Sequence, residues 1–185
     1  MKAIILFVAM LAVISARGIV FPIEWPWSKF EPLETVDNFS IDRYLGHWYE
    51  IASIPYYWER GCNCSQVEYS YNYDGTIKVM NLCEYNSTYT NITRVEGTAW
   101  ITDKPSKLEV EYNFPITSRH WILYCDPNYA YVLVGEPSRS RLWIYSRYPA
   151  LDRRIIHNLV TFASYRGFPV EKLEMTNQTC GWLSQ

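Results

Sequence analysis

The hexapeptide Lys107-Leu108-Glu109-Val110-Glu111-Tyr112 puts Leu108, Val110 and Tyr112 on one parity and Lys107, Glu109 and Glu111 on the other. Successive side chains of an extended chain point to opposite faces, so this stretch reads as a strand with one apolar and one wet face. Working outward in both directions, similar β-rich runs recur at His47–Ile54, Ser65–Tyr73, Thr76–Glu84, Thr93–Thr102, Lys107–Phe114, His120–Cys125, Tyr129–Gly135 and Arg141–Ser146. Between them stand turn formers, including Asp74-Gly75, Asp103-Lys104-Pro105, Asp126-Pro127-Asn128 and Glu136-Pro137-Ser138. Short connections of this chemistry join antiparallel neighbours, which predicts a meander. Eight meander strands that close on themselves leave no edge, and eight is the size whose interior fills with side chains or holds one small ligand. The fold class expected is therefore all-β, an eight-stranded antiparallel up-and-down barrel, with a β-sandwich as the alternative that strand count leaves open.

Downstream of the strands the period changes. Leu151, Ile155, Ile156, Leu159, Val160 and Ala163 recur at helical spacing, with Asp152 near the start and Gly167 and Pro169 at the end. One C-terminal helix packed outside the sheet is the expectation, with Lys172–Thr176 as one more short strand.

The length of 185 residues suits one domain of about 150 residues with appendages. Charged residues are 19% and hydrophobic residues 49%, which excludes disorder as the overall state. A net charge of −2 provides no basic field for nucleic acid. The aromatic content of 17% favours strands and sites for apolar ligands.

Met1 and Lys2 precede the apolar run Ala3 to Ile14, and Ser15, Ala16 and Gly18 follow. This reads as a secretory signal peptide over residues 1–18, cut after Ala16 or Gly18. The apolar run is too short to span a bilayer, so no integral membrane segment is expected once it is removed. Residues 19–35, rich in Pro and aromatics, read as an extended leader, residues 36–180 as the domain and 181–185 as a tail. Five Asn residues, Asn38, Asn63, Asn86, Asn91 and Asn177, carry the Asn-x-Ser/Thr glycosylation pattern, with Asn63 the weakest because it lies between two cysteines. Five cysteines, Cys62, Cys64, Cys83, Cys125 and Cys180, fit a disulfide framework in an oxidising compartment, with one thiol left over. A secreted, extracellular protein is the expectation. No cysteine or histidine spacing makes a metal site, no phosphate loop or nucleophile elbow occurs, and no cofactor is expected.

Against this background, Asn38-Phe39-Ser40-Ile41-Asp42-Arg43-Tyr44-Leu45-Gly46-His47-Trp48-Tyr49-Glu50-Ile51 resembles the lipocalin signature at the first strand, with Gly46 and Trp48 as its Gly-x-Trp centre. Cys125-Asp126-Pro127-Asn128-Tyr129 resembles the second signature, with Cys125 in place of the motif Thr, and Arg147 closes the third. The likeness covers about Val36 to Cys180. Trp48-Tyr49-Glu50-Ile51 and Ile77-Lys78-Val79-Met80-Asn81 are similar to apolipoprotein D, and Gly135 to Ile144 looks like the bacterial and plant temperature-induced branch of the family.

The resemblance implies that Arg147 stacks on Trp48 at a closed barrel end, a cation–π contact of about 0.5–2 kcal/mol. It implies a secreted carrier of a small hydrophobic ligand, such as a fatty acid, lysolipid, sterol, retinoid or bilin, in the other end. The implied ligand set is Tyr44, Tyr69, Asn81, Tyr112, Trp143 and Tyr145, to which strand parity adds Tyr71, Val79 and Val110. It also implies a disulfide between Cys64 and Cys180, while Cys83 is left to meet Cys125 or Cys62. Two other functions stay open: a protein-binding module using the leader aromatics Trp25 and Trp27, with a receptor or a lipid surface as partner, and a thiol-dependent enzyme resting on Cys83.

Overall fold

The computed structural model describes residues 31–85, 91–112 and 116–180. The predicted signal peptide, the predicted leader up to residue 30 with Trp25 and Trp27, Asn86 and residues 181–185 lie outside the described residues, as does the Asn91 side chain. A four-residue helix, α1 (Ile41–Tyr44), enters strand β1 (Gly46–Ser53). There follow β2 (Cys62–Tyr71), β3 (Ile77–Tyr85), β4 (Asn91–Ile101), β5 (Lys107–Glu111), β6 (Thr117–Cys125), β7 (Tyr131–Gly135), β8 (Leu142–Ser146), the helix α2 (Arg153–Tyr165) and a two-residue β9 (Glu174–Met175). Each strand from β2 to β8 pairs antiparallel with the next, and β1 pairs with both β2 and β8, which closes the barrel. β9 adds to β1 through Ala52 opposite Met175. The closed meander settles the choice against a sandwich.

Parity decides what fills the barrel. Leu108 and Val110 are fully buried inside, with Val67, Tyr69, Ile77, Val79, Ala99, Ile122, Val132 and Val134. The opposite parity of β7 and β8 supplies Leu133, Leu142 and Ile144, which bury against Leu159 and Ala163 of α2 on the outside. Both faces of β8 are thus covered, and all five of its residues are buried. Removing a side chain such as Leu159 from water contributes about 1.5–3 kcal/mol. α2 begins at Asp152, whose carboxylate accepts from Arg154 N at 2.7 Å, and ends where Gly167 turns left-handed at φ 83°.

Several boundaries differ from those the sequence predicts, four of them with a bearing on the site or the chain ends. β2 begins at Cys62, three residues early, pairing Cys62 with Tyr85 across an irregularity where Cys64 takes φ 50°. β5 stops at Glu111 instead of Phe114. β7 starts at Tyr131 because Tyr129 itself is left-handed, at φ 58°, and cannot join a ladder. Of Lys172–Thr176, Lys172 ends a 3-10 turn, Val170–Lys172, and only Glu174–Met175 is strand. The last residues of the leader lie on the barrel: Leu33 and Thr35 are buried, and Val36 N donates to Ile122 O at 2.9 Å.

One barrel end is closed by Trp48, which is fully buried, with its indole N–H donating to Tyr44 O at 2.8 Å. The Arg147 guanidinium lies 3.6 Å from the Trp48 ring centroid and donates to the carbonyls of His47 (2.6 Å), Arg43 (2.9 Å), Tyr44 (3.1 Å) and Leu45 (2.8 Å). Gly46 sits under it at φ 94°, a conformation that any side chain would strain. Asp126 accepts from Asn128 N and Ala130 N, and this turn aims the Tyr129 hydroxyl at Ser40 N, 2.7 Å away. The plug is therefore a cation holding four carbonyls that α1 and the start of β1 leave free.

Replacing Arg147 with Ala removes the ring contact and strands partly buried carbonyls, so chemical denaturation should show a loss of about 2–4 kcal/mol. Arg147→Lys should recover less than half of it, since a single ammonium lacks the planar fork. A loss below about 0.5 kcal/mol in Arg147→Ala, the typical size of a change at a surface site, would remove the plug from the account of stability.

Candidate functional site

At the end away from Trp48 the barrel is not filled. A cavity of about 180 Å³ opens there, lined by Glu50 and Ser53 of β1, Tyr56 and Glu59 of the following 3-10 turn, Asn81, Leu82 and Cys83 of β3, Val95 of β4, Tyr112 after β5, Ser118 and His120 of β6, and Trp143 and Tyr145 of β8. One water centre needs only roughly 10–15 Å³ by that measure, so this is a binding space and no packing defect. Gly97 carries no side chain, and a Cβ there would come within 2.7 Å of the Tyr112 ring, so the ring lies flat on the strand backbone.

The floor is aromatic and polar at once. The Tyr69 hydroxyl is 3.0 Å from His120 Nδ1, and the His120 ring lies 5.0 Å from the Trp143 ring. Burial holds the imidazole down to a pKa of about 4, so it is neutral at ordinary pH. On the side wall Asn81 Nδ2 donates to the Tyr112 hydroxyl at 3.2 Å, and burial pushes that phenol far above its usual range.

Two carboxylates face this space. Glu50 accepts from Thr176 Oγ1 (2.6 Å), Ser53 Oγ (2.9 Å) and Ser65 Oγ (3.1 Å). Loss of water raises its pKa, against the three hydroxyls that favour its charged form. The C-terminal segment that brings Thr176 is tied down by the Cys64–Cys180 disulfide, by Cys64 N donating to Asn177 O, and by Gln178 Nε2 bridging the carbonyls of Glu50 and Ser65. Glu59 accepts from Tyr56 N at 2.8 Å, and its pKa rises to about 7, first through burial and then through the charges of Glu50 and Glu136. The Tyr56 hydroxyl donates to Glu136 at 2.8 Å, while Arg141 lies 4.2 Å from the Tyr56 ring centroid.

Of the residues that the family likeness implies for the ligand, the structure brings Asn81, Tyr112, Trp143 and Tyr145 to the cavity wall. Tyr44, Tyr69, Val79 and Val110 are fully buried deeper in the interior, away from that wall, because the plug end is packed solid. Only Tyr69 reaches the site, through His120. Tyr71 is misplaced by parity: it is the last residue of β2, half exposed, and its hydroxyl donates to Asp42 beside α1. Glu50, Tyr56, Glu59, Ser118 and His120 were not expected there. Glu50 shares the inward parity of Trp48, and His120 sits opposite inward-facing Leu108, so both were readable from register. Tyr56 and Glu59 lie in a loop, where no period applies.

Cys62 bonds to Cys83 in the cavity wall, which removes the thiol on which an enzymatic reading rested. The remaining thiol, Cys125, is at the plug end, and burial with the neighbouring Asp126 pushes it up to about 12, far from a reactive thiolate. Among the described residues Cys64, Glu84 and Cys180 converge with metal-like spacing, but both sulfurs are spent on the disulfide. Asn38 and Asn177 are exposed, and Asn63 is half buried in β2.

A closed eight-stranded barrel, plugged by Trp and Arg at one end and hollow at the other, defines a class of ligand-binding barrels. A family model described as a lipocalin-like domain matches residues 39–178, and the chain belongs to the lipocalin family. It is 37% identical over 161 residues to temperature-induced lipocalin-1 of Arabidopsis thaliana, covering 80% of this chain and 83% of that one. It is 33% identical to outer membrane lipoprotein Blc of Escherichia coli (77% and 81% covered) and 34% identical to apolipoprotein D of Mus musculus (77% and 78% covered). In fold it is similar to insecticyanin of the tobacco hornworm Manduca sexta, with TM-score 0.64 at 20% identity over 80% of this chain and 85% of that one.

The neutral imidazole of His120 gives a signed pH effect. Its folded pKa of about 4 lies below the unfolded value of 6.5, so the unfolded chain takes up the proton first and this stabilisation, full above 6.5, is lost as pH falls toward 4. The stability difference between wild type and His120→Phe should therefore shrink by about 2–3 kcal/mol between pH 7 and pH 4.5. An NMR titration showing His120 protonating near its ordinary pKa would contradict this.

Proposed function

We propose that the protein is a secreted carrier that holds a small hydrophobic ligand in the open-end cavity. The observation that carries this is the hollow itself: about 180 Å³ of space walled by Tyr56, Tyr112, Trp143 and Tyr145, with polar groups at a few points, in a barrel sealed at its other end. Apolar rings take up the body of a ligand, and the sparse polar groups orient one end of it. Membership of the lipocalin family, whose members bind small hydrophobic molecules, supports the same reading. So do relatives named as an apolipoprotein and as an outer membrane lipoprotein.

Export is supported by the residue 1–18 leader, by two disulfides and by the glycosylation patterns at Asn38, Asn63, Asn86, Asn91 and Asn177. Among the described residues no helix is long and apolar enough to cross a membrane. A binding role without chemistry is supported by the loss of Cys83 to a disulfide and by the high pKa of the Cys125 thiol.

Titrating the delipidated protein with fatty acids, lysolipids, sterols, retinoids and bilins should give saturable quenching of Trp143 fluorescence for at least one class, at micromolar or lower concentration. The quenching should vanish in Trp143→Phe. Absence of a saturable response across all classes would contradict the carrier role.

A further inference from the structure

Resting on the carrier reading, we infer that the cavity selects amphiphiles whose polar end donates hydrogen bonds, a hydroxyl or an ammonium, and rejects those that end in a carboxylate. The inference comes from the charges and hydrogen-bond directions around the hollow. Glu50 and Glu59 face it and Glu174 stands at its rim, whereas among the described residues no Lys or Arg lines it. The chain segments 86–90 and 113–115, which complete the β3–β4 and β5–β6 connections, contain no Lys or Arg either. Arg141 stacks on Tyr56 and donates to Ser140 O without joining the wall, and Arg60, next to Glu59 in the chain, is exposed.

Five hydroxyl donors in the wall are already committed. Ser53, Ser65 and Thr176 spend their protons on Glu50. Tyr56 donates to Glu136, and Ser118 Oγ lies 3.1 Å from the same carboxylate. The acceptors left to meet a ligand include the two carboxylates, and the remaining donors, those of Asn81, Thr93, Tyr112, Trp143 and Tyr145, carry no charge. His120 on the floor is buried and uncharged, so it provides no positive charge.

A carboxylate entering this space would lose its water beside the acidic pair Glu50 and Glu59, with no cation among the described lining residues to offset that loss. A hydroxyl would satisfy a carboxylate oxygen. An ammonium would do so with full charge and would also face the rings of Tyr56 and Trp143, which stand 6.4 Å apart and attract a cation at close range.

Three probes with the same chain separate these cases: 1-dodecanol, dodecylammonium and dodecanoate, titrated at pH 7.5 below their aggregation limits with Trp143 fluorescence as readout. The expected ranking places both dodecanol and dodecylammonium about tenfold or more tighter than dodecanoate. Dodecylammonium tighter than dodecanol would make the ligand class cationic, and equal binding of the two would make it neutral; both outcomes support the inference. In Glu50→Gln/Glu59→Gln, which keeps an acceptor for Tyr56 N, the gap between dodecylammonium and dodecanoate should close to within about threefold. If that variant does not fold by circular dichroism, the wild-type ranking alone decides. Dodecanoate binding as tightly as dodecanol in the wild type would overturn the selectivity and leave the carrier role standing. No quenching by any of the three would overturn the inference, and the broader ligand panel then decides the carrier role separately.

Discussion

The contact between Arg147 and Trp48 is the constraint on which the rest depends. A meander of eight strands closes sideways through its ladders, but nothing in a ladder closes the ends. Here one guanidinium covers the indole at 3.6 Å and collects four carbonyls from the turn that leads into β1. That fixes the entry of the chain, and it lets Tyr44, Trp48 and Tyr69 pack as one aromatic layer, with ring centroids 4.8 to 5.4 Å apart. With one end solid, any space left in the barrel must lie at the other.

The hollow has a second support that comes from the far end of the chain. β9 and the residues after it run along β1 and β2, and Thr176 reaches in to hold Glu50. The Cys64–Cys180 disulfide pins this segment over a sequence separation of 116, and the Cys62–Cys83 bond ties β2 to β3 on the same side. Both crosslinks thus brace the hollow end, while the plug end relies on packing and hydrogen bonds. The division has a physical logic. An empty space loses the dispersion contacts that hold a filled core, so the walls around it need another constraint.

Much of this was legible in the residues. Alternation in Lys107–Tyr112 gave the faces of the sheet, and Leu151 to Ala163 gave the helix and its buried stripe, because both periods act within a few residues of chain. Glycine and capping signals placed the end of the helix at Gly167. The site was legible in part. Asn81, Tyr112, Trp143 and Tyr145 line the hollow, whereas parity added Tyr71, since a period of two says which face a residue takes and nothing about its depth along the barrel. Val79 and Val110, also added by parity, and Tyr44 and Tyr69, implied by the likeness, lie deeper, toward the solid end. The carboxylates were passed over because polar residues in strands are expected to face water. Glu50 breaks that rule only because hydroxyls from β1, β2 and the C-terminal segment meet on it, a convergence no local pattern encodes.

The central claim is that the hollow end buries apolar surface of a ligand, and calorimetry measures that most directly. Binding to the delipidated protein, followed from 10 to 35 °C, should show a negative heat-capacity change, the mark of apolar burial. The same titration of Ser118→Trp, whose indole would occupy the space between His120 and Tyr56, should give no binding heat while the far-UV spectrum stays that of the wild type. Equal binding in both proteins would place the ligand outside the barrel and contradict the account.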